Sequence, residues 1–258
     1  MQCVEISGSQ LEVRHIPGPA HLSPLIFLHE GLGSVAMWQG RDKDWPLSVC
    51  QASGRAGWVY SRRGYGQSAP VPDVRGANRL GADYMHLEAW QVLPQLLQSL
   101  SVDKPILIGH SDGGSIALLH AARFEVTGVV VMAPHLFVED ISLRSIEAAK
   151  HAFETGDLRN RLSRFHADVD CAFWQWNDVW LSQAFRSFDI QQECMDISAP
   201  LLAMQGVDDM YGSLRHIEEL HTLSRVRREV LKACGHSPHR DQHDLSLQLV
   251  VDFLKQLP

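Results

Sequence analysis

A chain of 258 residues is long for a small module and within reach of a single α/β or barrel domain, which runs to roughly 200–250 residues. At 45% hydrophobic residues it is not disordered. With 23 basic against 30 acidic residues, a net charge of −7 without charge runs, it is not an electrostatic nucleic-acid binder.

The opening MQCVEISGSQ has no basic start followed by an apolar run, and nothing in the chain approaches the roughly 18 apolar residues of a membrane span. Five widely spaced cysteines, Cys3, Cys50, Cys171, Cys194 and Cys234, form no C-x-x-C pair and suit a reducing compartment better than a disulfide framework or a zinc knuckle. The expectation is a cytoplasmic protein acting on a small-molecule substrate, with no nucleic acid, membrane or cofactor as partner; a homodimer is compatible with the sequence.

Short runs rich in Val, Ile and Leu, bounded by Gly and Pro, follow Pro24 (LIFLH), Gly57 (WVY), Pro105 (ILIGH), Gly128 (VVVMA) and Pro200 (LLAMQ). Such runs suit strands buried on both faces. Helix-period segments lie at 84–100, 115–123, 213–223 and 245–257. The alternation predicts a parallel sheet covered on both faces by helices. It breaks at 141–198, where the pattern turns helical and carries Trp174, Trp176 and Trp180. A helical cap of 141–198 inserted into a core of 1–140 and 199–258 accounts for the gap. Its tryptophans either wall a pocket or pack the insert onto the body, because both tasks draw on the same residues.

Gly109-His110-Ser111-Asp112-Gly113 reads G-x-S-x-G directly after the strand Ile106-Leu107-Ile108 and before a helix-period segment. A serine on so sharp a strand-to-helix turn needs neighbours with almost no side chain, and its hydroxyl then stands clear at the sheet's carboxyl edge. The backbone N–H of Asp112, at the helix start, can donate to an oxyanion. A nucleophilic serine needs a base and an orienting carboxylate, here expected later in the chain. Gln205-Gly206-Val207-Asp208-Asp209 puts a carboxylate after one strand, with Asp209 preferred to Asp208. Ala233-Cys234-Gly235-His236 puts an imidazole after the next, Glu229-Val230-Leu231. His236 would take the Ser111 proton through one ring nitrogen while Asp209 holds the other. Asp140, after the strand at 129–131, is the alternative acid. His236, His239 and His243 also read as H-x2-H-x3-H, but a metal site at that spacing needs a continuous helix through Pro238, so no metal is expected and His239 and His243 are read as surface or helix-start residues. The second oxyanion donor is expected in Leu28-His29-Glu30-Gly31-Leu32-Gly33-Ser34, with Gly31 preferred and Glu30 or Leu32 as alternatives.

These residues resemble the α/β-hydrolase superfamily along most of the chain: the His29-Glu30-Gly31 loop, Ser61-Arg62-Arg63-Gly64-Tyr65-Gly66-Gln67-Ser68, the turn at Ser111, Gly206-x-x-Asp209 and Gly235-His236. The resemblance implies an eight-stranded, mostly parallel sheet with a helical lid inserted after the sixth strand, and it supports Asp209 as the acid. Within the superfamily the chain is most similar to lidded carboxylic-ester hydrolases and to the C–C hydrolases and 2-succinyl-6-hydroxy-2,4-cyclohexadiene-1-carboxylate synthases related to them. It departs from many relatives in carrying Glu30 after His29, Ser237 after His236 where the ring-cleavage C–C hydrolases have tryptophan, and Asp112 after Ser111. Ser111 itself argues against epoxide hydrolases and dehalogenases, which use aspartate there.

The expected activity is serine hydrolysis of a small to medium carboxylic ester, thioester or lactone through an acyl-enzyme. The alternatives are C–C cleavage or elimination by the same triad and, more remotely, a non-catalytic binding module. Glu30, His135, Phe137, Trp174, Trp176, Trp180 and Tyr211 are the expected substrate contacts.

Overall fold

The computed structural model describes residues 2–40 and 43–258. Its strands are β1 (Gln2–Ile6), β2 (Ser9–Ile16), β3 (Leu25–Leu28), β4 (Gly57–Tyr60), β5 (Ile106–His110), β6 (Gly128–Met132), β7 (Leu201–Gly206) and β8 (Val226–Leu231). They form one 8-stranded sheet in the order β1-β2-β4-β3-β5-β6-β7-β8. Pairing is parallel from β4 through β8, while β2 runs antiparallel to β1 and β4. This is the mostly parallel α/β-hydrolase sheet expected.

The apolar runs fill two cores because successive strand residues point to opposite faces. Phe27, Ile108, Val130 and Met204 enter one core, and Ile26, Leu107, Val131 and Ala203 enter the other. Helices α1 (Trp45–Ser53), α2 (Tyr84–Leu87), α3 (Leu93–Ser99), α4 (Asp112–Ala121), α5 (Asp140–Thr155), α6 (Leu158–Leu162), α7 (Val169–Trp180), α8 (Gln191–Cys194), α9 (Arg215–Glu218), α10 (Pro238–Asp241) and α11 (His243–Leu254) follow in chain order. Trp45 and Val49 of α1 pack with Val250 and Phe253 of α11 in the first core. The second takes Met85, Leu93 and Ile116 from α2, α3 and α4, and Ile146, Phe173 and Trp180 from α5 and α7. Helices α5 to α8 all lie between β6 and β7. The folded chain exposes 11138 Å², in line with the roughly 11,000 Å² expected of a compact body of this length.

Candidate active site

Ser111 leaves β5 and opens α4 at φ +54°, ψ −120°, a conformation that a residue with a side chain adopts only when its surroundings impose it. Backbone imposes it here. A Cβ on Gly109 would lie 2.2 Å from the Gly113 carbonyl oxygen, and one on Gly113 would lie 2.2 Å from that of Leu28. Gly206, which ends β7, is as tightly placed: its Cβ would lie 2.2 Å from the carbonyl oxygens of Cys234 and Gly235. That contact seats the Asp209 loop against the His236 loop.

At this rim the Ser111 hydroxyl lies 2.9 Å from His236 Nε2, and both Asp209 carboxylate oxygens lie 2.9 Å from His236 Nδ1. Asp209 also accepts from Gln205 Nε2 at 2.6 Å and from the Tyr211 N–H at 2.8 Å. A carboxylate only accepts, so Nδ1 carries the imidazole proton and Nε2 is left to accept from the serine. Asp208 points into solvent, and so does Asp140, the first residue of α5. The structure thus brings Ser111, Asp209 and His236 into one hydrogen-bonded line and leaves out both alternative acids.

A cavity of about 170 Å³ opens over Ser111, lined by Glu30, Gly31, Leu32, His135, Ile146, Trp176, Trp180, Tyr211 and Ser237 among others. Gly31 is pressed against the roof: a Cβ there would lie 2.2 Å from Trp176 Nε1. Gly31 and Asp112 both line the cavity beside the serine, where the expected oxyanion donors belong.

Glu30 is engaged on both oxygens. Oε2 lies 3.2 Å from His110 Nδ1, and Oε1 lies 3.5 Å from Arg240, which also donates to the Met37 carbonyl at 2.7 Å. Burial would raise the Glu30 carboxyl, but His110, Arg240 and His239 outweigh it and hold the group well below the usual carboxylate range. The other ring nitrogen of His110 donates to the His236 carbonyl at 2.7 Å. His110 therefore ties the Glu30 loop to the backbone of the His236 loop. Sequence reasoning passed over His110 and Arg240; His110 was findable as the residue preceding the serine, whereas nothing in the pattern marked Arg240.

The Asp112 side chain turns away from the cavity. It accepts from Tyr84 Oη at 2.6 Å, lies 3.7 Å from Arg62, and Trp180 Nε1 donates to the same Tyr84 oxygen at 3.0 Å. Burial raises the Asp112 carboxyl, with Arg62 and Tyr84 opposing. This departure from the relatives is thus a strut between body and roof.

Two expected contacts need correction. Trp176 and Trp180 are four residues apart on α7 and share a face, but Trp174 projects elsewhere. It lies under the Arg75 guanidinium, 3.7 Å from the ring centre, beside Phe153 and Phe173. Phe137 packs on His216 and carries Arg215 over its ring, outside the cavity lining. His239 meets one of its two expectations. It is a helix-start residue in α10 but buried, packed against Trp38 and Trp45 rather than on the surface. His243 opens α11 and meets Asp244 and Lys43. Among the described residues, no cluster of three His, Cys, Asp or Glu side chains could hold a metal ion, and no helix is long and apolar enough to cross a membrane.

A serine on a strained strand-to-helix turn of a mostly parallel sheet, met by an imidazole and a carboxylate from later strands, defines an α/β-hydrolase architecture. The family model described as "Alpha/beta hydrolase family" matches residues 25–247, and the chain belongs to that family. It is similar to a proline iminopeptidase of Lactobacillus delbrueckii subsp. lactis, 23% identical over 275 residues and covering 90% of each chain. In fold it is similar to the enol-lactonase of Burkholderia xenovorans LB400 (TM-score 0.72, 18% identical, 98% of this chain and 100% of that one). It is similar also to a meta-cleavage product hydrolase of Pseudomonas fluorescens IP01 (TM-score 0.71, 16% identical, 99% and 98%).

Proposed function

We propose that the protein is a serine hydrolase of small carboxylic esters, thioesters or lactones, working through an acyl-enzyme on Ser111. The observation that carries this reading is the unbroken line from the Ser111 hydroxyl through His236 to Asp209, each link 2.9 Å. As Ser111 Oγ attacks the carbonyl carbon, its proton passes to His236 Nε2, and the imidazolium is stabilised by Asp209. The Gly31 and Asp112 N–H groups receive the oxyanion. The tetrahedral intermediate expels the alkoxide or thiolate, which takes the proton from His236. Water then gives a proton to His236 as its oxygen attacks the acyl carbon, and the second tetrahedral intermediate expels Ser111 Oγ, which takes that proton back from His236 as the acid leaves.

The segment 141–198 acts as a lid, with Ile146, Trp176 and Trp180 over the reacting atoms. The 170 Å³ cavity suits a short acyl group better than a fatty chain. An aminopeptidase reading, suggested by the proline iminopeptidase likeness, fits less well. A substrate ammonium needs a carboxylate facing it, and Glu30 is engaged with His110 and Arg240 while Asp112 turns to Tyr84 and Arg62.

Fluorophosphonate labelling of the protein, together with hydrolysis of p-nitrophenyl acetate, tests the reading. Labelling on Ser111 and a burst of nitrophenolate are expected. Ser111→Ala should lower kcat by a factor on the order of 10⁶. Absence of turnover on any ester, thioester or lactone would turn the reading towards C–C cleavage or elimination.

A further inference from the structure

Ser111 faces two imidazoles, and the mechanism uses one. His135, on the loop after β6, places Nε2 3.4 Å from Ser111 Oγ on the cavity wall. Its backbone is clamped by Ser115, whose hydroxyl accepts from the His135 N–H at 3.0 Å and donates to its carbonyl at 2.7 Å. The ring packs edge-on against Trp180 and His216. The residue is 3% exposed, and its Nδ1 is buried without a hydrogen-bond partner among the described residues.

Burial, reinforced by His216, His236 and His110, holds this imidazole well below the usual histidine range, so it is neutral. A neutral ring carries one proton. On Nδ1 it would be an orphaned buried donor, which folded proteins avoid. On Nε2 it faces Ser111 and the cavity. The Ser111 proton is already directed to His236, so His135 Nε2–H meets the serine oxygen's lone pairs at a long and weak distance. This donor is left for a better acceptor that arrives with the substrate.

The geometry limits what that acceptor is. When Oγ bonds to the carbonyl carbon, the substrate groups brought nearest to His135 Nε2 are those within a bond or two of that carbon. The carbonyl oxygen is directed to the Gly31 and Asp112 side. The leaving group must reach His236, whose ring has Tyr211 against it at 4.8 Å. That leaves the acyl carbon next to the carbonyl. On the reading of Ser111 as the acyl-transfer nucleophile, on which this inference rests, we propose that His135 selects acyl groups with an oxygen on the carbon adjacent to the scissile carbonyl: 2-hydroxyacyl or 2-oxoacyl esters, thioesters or lactones.

The test compares p-nitrophenyl lactate with p-nitrophenyl propionate, which differ by that oxygen alone. After correction for their spontaneous hydrolysis rates, the wild type should prefer the lactate ester by about tenfold or more in kcat/KM, since a buried donor left unpaired penalises the analogue lacking its acceptor. The preference should vanish in His135→Leu and return in part in His135→Gln, whose amide keeps a donor. No preference in the wild type, or an undiminished preference in His135→Leu, overturns the proposal. So does a His135→Leu defect of equal size on both acyl groups, which would make the residue an oxyanion donor, or one that tracks the pKa of the leaving alcohol. Ser111→Ala supplies a readout free of turnover: it should bind lactate about tenfold more tightly than propionate, and equal binding is a second refutation. Esters hydrolysed without that binding preference would sink the selection by His135 and leave the hydrolase reading standing. Selective binding without turnover of any ester would do the reverse.

Discussion

At the rim of the sheet, Ser111, Asp209 and His236 are placed by backbone: strained turns, glycines closing on carbonyl oxygens, and loops leaving adjacent strands. Above the rim, Trp176 and Trp180 are placed by side-chain packing, with α7 held to the body through Trp180, Tyr84 and Asp112. The first arrangement has no slack, since one added carbon at Gly109, Gly113 or Gly206 meets main chain at 2.2 Å. The second can repack, as apolar surfaces tolerate exchange of shape at modest cost. Catalysis should therefore be brittle to small changes at the rim, and substrate range should drift with changes in the roof.

On the proposed mechanism, the largest effects after loss of Ser111 belong to Asp209. Asp209→Asn keeps the shape but replaces an acceptor with an amide able to donate to Nδ1, favouring the wrong tautomer of His236. We expect kcat to fall by about 10⁴-fold, and Tm by a few degrees because the new NH2 must face the Gln205 or the Tyr211 donor, as read by steady-state kinetics beside a melting curve. A variant retaining a tenth of its activity would place the acid elsewhere. Next comes the turn itself. Gly113→Ala, one methyl group, drives a Cβ into the Leu28 carbonyl and should cost about 3 kcal/mol or more, lowering Tm or abolishing soluble expression. An unperturbed Tm would mean that the rim is not rigid.

Acid should act on the body by a separate route. Burial pushes the His120 imidazole, on α4, down to about 4, partly offset by its bond to the Ala89 carbonyl. The folded chain binds this proton less readily than the unfolded chain, whose histidine keeps the ordinary 6.5. The stability linked to His120 is therefore full above pH 6.5 and drains away as pH falls towards about 4. At about 1.4 kcal/mol per pH unit the loss totals about 3 kcal/mol. In His120→Gln that part of the pH dependence of urea denaturation should flatten. An unchanged slope would assign the acid sensitivity to other groups.

How much was legible follows the same division. The central strands and the three rim residues could be read because buried parallel strands are continuous apolar runs and the turns that carry chemistry need particular small residues. The β1–β2 hairpin went unread. Its Ser7-Gly8 turn, with φ of 50° and 74°, is the positive-φ signal of a tight hairpin, but the strands beside it mix charged and apolar residues without a clean alternation. The helix expected at 213–223 shrinks to Arg215–Glu218 because Arg228, from β8, takes the carbonyls of Ile217 and Leu220 at 2.6 and 2.5 Å. No local pattern encodes a distant arginine. The expected helix at 84–100 forms but passes through a π turn at Glu88–Val92, next to Pro94, which cannot donate to the carbonyl of Trp90. In the roof, the tryptophan cluster was visible, yet only helical spacing separates those facing the cavity from the one that does not.

Trp174 gives the smallest predicted effect and separates roof as pocket from roof as packing. Its ring is half-buried and sandwiched between the exposed Arg75 guanidinium and the stacked pair Phe153 and Phe173, whose ring centres are 3.7 Å apart. Arg75 is also held by Asp178 at 2.8 Å, so the cation stays in place when the ring is removed. Trp174→Ala should then cost the cation–π contact, about 0.5–1 kcal/mol, plus part of the apolar contact with the two phenylalanines, and lower Tm by a few degrees. Acyl-chain selectivity should not move, because the cavity over Ser111 is walled by Trp176 and Trp180. A change in KM across acetate, butyrate and hexanoate esters would show that the residue reaches the substrate after all and that the roof shifts more than its packing implies.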